Sequence, residues 1–99
     1  MLDLNATNIE ELESELAERA IEVSVEVIRS VCKGLEVNAD KVNLAILSNI
    51  DMDLIVDKNN YLQTLKLNLP RCEQAEEFEL CKKASEWIKK LEALDNTDI

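Results

Sequence analysis

Five glutamates, Glu11, Glu15, Glu18, Glu22 and Glu26, recur at spacings of three and four residues. On an α-helix that spacing places them along one line. The chemistry such a line offers is electrostatic capture of a cationic surface. From Glu11 to Glu26 the helix would cover roughly 22 Å at about 1.5 Å per residue. One strand of B-DNA carries about six phosphates over the same length, at roughly 3.4 Å each. The line therefore approaches one nucleic-acid strand in charge density. Like charges at these spacings repel by a few tenths of a kcal/mol per pair, so selection for helix stability alone does not explain the pattern.

Other chemistries are thinly supplied. The chain has no histidine, which removes Ser–His, Cys–His and His–metal sites. Gly34 is the only glycine, so no phosphate-cradling loop is encoded. With 21 acidic residues, carboxylate pairs arise by chance, and the reading expects no catalytic residue and no cofactor. Asp51, Asp53 and Asp57 are spaced like the start of a calcium loop. The pattern fails where it needs an oxygen ligand (Ile55), glycine (Val56) and glutamate (Leu62), so no metal is expected. Alternation accounts for the three aspartates as the outward side of a strand. Cys32, Cys72 and Cys81 lack metal-ligand spacing, and an odd count without a framework fits free thiols in a reducing compartment. Cys72, near an expected helix start, is the candidate reactive thiol.

Charge bounds the partners. A net charge of −10 over 99 residues argues against direct nucleic-acid contact and against an anionic membrane surface. It favours association with a basic protein surface. Residues 1–6 show no basic-then-apolar signal, and no apolar run reaches the roughly 18 residues needed to span a bilayer. The expectation is a cytoplasmic protein. At this length the chain makes a single domain, with 1–6 and 95–99 as flexible ends.

The elements that would position the glutamates follow from periodicity. Thr7 and Glu10 read as a capping box that opens a long helix, Ile9 to Gly34. Ile9, Leu12, Leu16, Ala20, Val23, Val27 and Val31 fall within an arc of roughly 100°, opposite the acidic line. Ile21, Val25, Ile28, Cys32 and Leu35 widen the apolar side after Ala20. Gly34 reads as the residue just past the helix end, with Leu35 beyond it. The run Ile21–Val27 also alternates and is β-branched, so a third strand there is the competing reading. Asn38 then reads as the cap of a short second helix from Ala39 to about Asn49. Ile50–Val56 and Tyr61–Leu69 alternate around the turn-forming Asp57–Asn60 and predict a β-hairpin. Pro70 introduces a last helix, Arg71 to about Leu94. Its stripe is Phe78, Cys81, Ala84, Trp87, Ile88, Leu91 and Leu94. There Glu79–Lys83 and Glu86–Lys90 have the favourable spacing, so that helix should neutralise itself. The fold class is α+β, in the succession α-α-β-β-α.

Two functional classes follow. In the first, the glutamate line is the partner-binding surface of a small acidic, non-enzymatic inhibitor that occupies a basic, nucleic-acid-binding surface. In that respect it is similar in kind to small acidic phage inhibitors of host defence nucleases, including many anti-CRISPR proteins. The similarity is one of charge and size, with no shared motif. In the second, the protein is an assembly module that homodimerises or docks through its apolar helix flank and hairpin edge. Two further readings fall to the residues. Acyl carrier proteins share the acidic, helical composition, but their Asp-Ser-Leu is missing, and Ala39-Asp40-Lys41 has lysine where serine would be. A helix-turn-helix over Ile28–Leu47 lacks the basic footprint, since its second helix holds only Lys41.

Overall fold

The periodic N-terminal stretch is helical from Ile9, as its spacing requires, but it folds in two pieces. The computed structural model describes residues 2–96. Helices α1 (Ile9–Glu18) and α2 (Ala20–Glu36) are followed by strands β1 (Lys41–Leu47) and β2 (Met52–Asp57), then by α3 (Tyr61–Gln74) and α4 (Phe78–Asn96). The class is α+β and the α-α-β-β-α succession holds, with the last helical part itself in two pieces. Among the described residues, no helix is long and apolar enough to cross a membrane.

The start of α1 is capped one residue later than expected. Asn8, not Thr7, is the cap, and its side-chain oxygen accepts the Glu11 N–H at 2.9 Å. The Glu11 carboxylate, not that of Glu10, reaches back to the Thr7 N–H at 2.9 Å and the Thr7 hydroxyl at 2.7 Å. The break between α1 and α2 falls at Arg19 (φ −107°, ψ 29°), where no glycine or proline forces it. Packing supplies the reason. Leu12 and Leu16 of α1 close over Leu2, Ala6, Ala45 and Leu47. The apolar face of α2 instead joins a second cluster built with α3 and α4: Val25, Val27, Ile28, Val31 and Cys32 around Tyr61, Leu65, Cys72, Cys81 and Ala84. Val23 touches both clusters. One straight helix cannot aim its stripe at both. Ile21–Val27 lies inside α2, so the third strand does not form. Ile28, Val31 and Leu65 are fully buried, each worth about 2 kcal/mol by area.

Gly34 does not end the helix. It lies inside α2, where an added Cβ would run into the Val42 side chain and come within 3.1 Å of the Tyr61 hydroxyl. Its role is close approach between α2, β1 and α3. The residue past the end is Asn38, at φ 57°. Ala39 N–H donates to Gly34 C=O at 2.8 Å and Asn38 N–H to Leu35 C=O at 3.2 Å, which is a Schellman closure. Asn38 thus terminates one helix rather than capping another.

Residues Ala39 to Asn49 make no helix; Lys41–Leu47 is β1, paired antiparallel with β2. A bulge between Asn43 and Ala45 explains the misreading. Val42 and Leu44 face inward before it, and Ala45 and Leu47 after it, so two phases of alternation merge into what looks like a helical apolar surface. The hairpin is therefore β1–β2, closing at Leu47 and Met52, with Asp51 at φ 48° in the connection. Of the two strands expected, Ile50–Val56 holds in substance as β2, whereas Tyr61–Leu69 is helical. Tyr61, Leu65 and Cys72 are its buried positions, at helical spacing, and Leu67, which completed the apparent alternation, is 65% exposed. Asp57–Asn60 does turn the chain, but into α3.

Pro70 sits inside α3 rather than opening the last helix. That helix does not run from Arg71 to Leu94. It is interrupted at Ala75–Glu77 by a second Schellman closure, with Glu76 at φ 60° and Glu77 N–H donating to Cys72 C=O at 3.4 Å. Along α4, Cys81 and Ala84 are buried and Trp87, Ile88 and Leu91 half-buried, while Phe78 and Leu94 are exposed. Of the ends, residues 95–96 complete α4 and residues 97–99 lie outside the described residues. Leu2 and Ala6 are buried against the hairpin.

Candidate functional site

Helix α1 carries five glutamates in ten residues, Glu10, Glu11, Glu13, Glu15 and Glu18, and no cation. Leu12 is its one buried residue. At about 100° per residue, Glu10, Ser14, Glu18 and Glu11 share an arc of roughly 100° that faces away from the core. Glu10, Glu11, Glu13 and Glu18 are all exposed. Among the described residues, none of these four makes an ion pair, and Glu15 alone in α1 does. Glu11 is held by its two bonds from Thr7, whose side-chain hydroxyl is the larger influence, and they keep its carboxyl below the ordinary value. A shallow depression of about 410 Å³ runs between Asn8, Glu10, Glu11, Ser14, Glu15 and Glu18.

The rest of the expected line is differently employed. Arg19 sits at the joint and gathers its neighbours: Nε and Nη2 donate to Glu22 at 2.9 and 2.7 Å, and Nη1 to Glu15 at 3.1 Å and to Asp3 C=O at 2.7 Å. These bonds, those to Glu22 foremost, raise the guanidinium further above its already high value. The bond from Arg19 lowers the Glu22 carboxyl. Glu15 also accepts the N–H groups of Asn5 and Ala6, at 3.0 and 3.1 Å, which ties the N-terminal strand of residues to α1. Glu26 accepts from Arg29 at 2.9 Å and from Ser30 at 3.3 Å. The five predicted residues thus divide. Glu11 and Glu18 lie on the open face of α1, Glu15 and Glu22 flank the Arg19 clamp, and Glu26 is half-buried on α2. Glu10, outside the expected line, belongs to the open face, and Glu13, also outside that line, is exposed to one side of it. Arg19 was legible as a partner, being four residues after Glu15 and three before Glu22.

The remaining candidates lie elsewhere in the fold. Cys72 is fully buried in the last turns of α3, not near a helix start. Burial, with Cys81 beside it, pushes its thiol up to about 12, and burial pushes Cys32 up to about 11. All three cysteines are free and buried, and thiols so raised are poor nucleophiles. Asp53 and Asp57 point outward on β2 as expected, while Asp51 occupies the hairpin connection. Among the described residues, no cluster of three carboxylates or thiols could hold a metal ion. A concavity of about 680 Å³ borders Gly34, Asn38, Lys58, Tyr61 and Leu91. The Tyr61 hydroxyl is already donated to Ala39 C=O at 3.0 Å, and Lys58 pairs with Asp40 at 3.3 Å.

Two exposed features escaped the periodicity. Phe78 is 69% exposed among the exposed Glu73, Glu76, Glu77 and Glu79 at the α3–α4 corner. The outer edge of β2 is the other. On the flank of α2, Val25, Ile28 and Cys32 are buried under α3 and α4, which leaves Ile21 exposed. The chain matches no protein-family model, no curated protein and no solved structure.

Proposed function

We propose that this is a small acidic, non-enzymatic binding protein that seats α1 against a basic surface of a partner. The surface best suited is a nucleic-acid-binding groove, which the protein would occupy as an inhibitor in the manner of phage anti-defence proteins. One observation carries the reading: α1 presents five glutamates and no cation, and four of them are exposed and outside any ion pair among the described residues. Its ten residues cover about 15 Å, over which one B-DNA strand carries four or five phosphates at roughly 3.4 Å each. The rest of the fold supports the presentation. Asn8 and Thr7 fix the start of α1, Glu15 and Arg19 fix its end, and Leu12 and Leu16 anchor its inner side. The open glutamates are held on a rigid element before any partner arrives, which reduces the ordering cost of binding. Three free thiols fit a reducing, cytoplasmic setting.

The test is a pull-down from the native host, followed by a salt titration of what is retained. The expected partner is a basic nucleic-acid-handling protein that is released by about 0.5 M salt, where the Debye length is roughly 4 Å, and that is displaced by duplex or single-stranded DNA. A partner held equally well through that salt range would contradict the reading.

A further inference from the structure

The hairpin has two unlike edges. On β1 the ladder is broken by the bulge at Leu44, and the carbonyl of Leu44 is taken by the N–H of Leu2. That edge is both irregular and covered, which are two of the ways natural sheets protect an edge. On β2 neither device is present. Met52–Asp57 contains no proline, glycine or lysine and pairs without a bulge of its own. Among the described residues, no hydrogen bond reaches its outer backbone groups. The inward side chains carry the same asymmetry. Ala45 and Leu47 of β1 are 0% and 2% exposed, whereas the residues opposite them, Leu54 and Met52, are only half-buried. The core beneath β2 is incompletely covered on its open side.

We propose that the edge of β2 receives an extended segment of a partner protein as a third strand, and that this segment alternates basic and apolar side chains. Six residues offer about 20 Å of edge, enough for a five- or six-residue strand. Outward along β2 stand Asp53, Ile55 and Asp57, with Ile55 46% exposed and Ile46 of β1, 54% exposed, diagonal to it. A strand laid alongside finds carboxylate, apolar and carboxylate in turn. The complementary outward pattern is a cation, an apolar residue and a cation at alternate positions. The intervening inward positions are apolar, covering Met52, Leu54 and Val56. A second copy of this chain fits poorly. Pairing two β2 strands about Ile55 sets Asp53 against Asp57 of the other copy twice, and pairing about Leu54 sets Asp51 against Asp57. Like charges directly opposite destabilise a sheet. The inference does not depend on α1, which is a different surface.

The test is an NMR titration of the full chain with a capped peptide carrying Lys-Val-Val-Val-Lys between Ser-Gly flanks. Amide shifts centred on Met52–Asp57 are expected. Asn at positions 53 and 57 (Asp53→Asn, Asp57→Asn) should weaken binding about three- to tenfold, and N-methylation of alternate peptide nitrogens, which removes ladder donors, should abolish it. A Glu10→Gln, Glu18→Gln variant should bind the peptide as the parent does. The proposal is overturned if the peptide leaves the β2 amides unmoved at millimolar concentration. It is likewise overturned if the N-methylated peptide binds equally, if the α1 variant loses binding, or if sedimentation shows the chain dimerising through β2.

Discussion

Helices α1 and α2 read as one element by periodicity and behave as two. In α2, seven of 17 residues are buried, including Ile28 and Val31 at 0% exposure; in α1 only Leu12 is. The acid differs as well. Glu22 and Glu26 of α2 are each matched to an arginine, whereas the open glutamates of α1 have no cation on their own helix. Within one line of glutamates at one spacing, Glu15, Glu22 and Glu26 are thus held by arginines, while Glu11 and Glu18 are exposed and outside any ion pair among the described residues. Spacing alone does not distinguish the two. The position of one arginine and the burial of the opposite face do.

That division can be broken most strongly from the α2 side. Gly34→Ala gains about 1 kcal/mol of helix propensity but drives a methyl group into Val42 beneath Tyr61. Overpacking of this kind outweighs the gain, and a net loss of about 2 kcal/mol is expected in urea unfolding. Glu15→Ala comes next. It removes the acceptor for the Asn5 and Ala6 N–H groups and one arm of the Arg19 clamp. Loss of those bonds should cost about 1 kcal/mol, with faster amide exchange at Asn5 and Ala6.

A pH titration sharpens the same boundary. Glu11 and Glu22 have carboxyls lowered below 4.5 by Thr7 and Arg19 respectively. A depressed folded-state value means these bonds contribute stability above the unfolded value, and that contribution is lost as pH falls through the folded one. Carboxyl-carbon NMR should therefore find both groups titrating below 4.5, with their share of the stability disappearing in the acid range beneath it. Arg19→Ala should bring Glu22 back toward its ordinary value and leave Glu11 unchanged. The smallest stability effect belongs to the open face. Glu10→Gln, Glu13→Gln and Glu18→Gln together should change unfolding free energy by no more than about 0.5 kcal/mol.

How far the chain was legible depended on what each pattern could see. Period located the helical stretch through local signals such as the Leu12–Leu16 stripe, while the cap falls at Asn8 with Glu11 reaching back, one residue beyond the Thr7 and Glu10 that the capping pattern picks out. The break at Arg19 was hidden, since it arises from two apolar clusters that only the folded chain brings into view. β1 was masked by its bulge, which superposes two alternations. Tyr61–Leu69 misled in the opposite sense, because Leu67 completes an alternation yet lies in solvent. The charge pairs of α4 were inferred from spacing and are not formed among the described residues: Lys83 turns to Glu36 of α2 at 3.8 Å, and Lys90 lies over the Trp87 ring of its own helix at 4.8 Å. Glu92 instead takes Lys66 of α3 at 2.8 Å. For the candidate site, the sequence placed all five glutamates of the acidic line in helix, which is where they lie. It spread that surface over Glu15, Glu22 and Glu26, which Arg19 and Arg29 hold, and passed over Glu10 and Glu13.

The central claim is that the exposed glutamates of α1 are the working surface, and the measurement that bears on it most directly uses the triple Gln variant. Its affinity for the partner captured from the host should be compared with that of the unaltered chain and of an Asp53→Asn, Asp57→Asn control, all at one low salt concentration. A loss of about tenfold or more, mostly in association rate, is expected for the triple variant alone, with its melting curve unchanged. Equal affinity for the triple variant and the unaltered chain would contradict it.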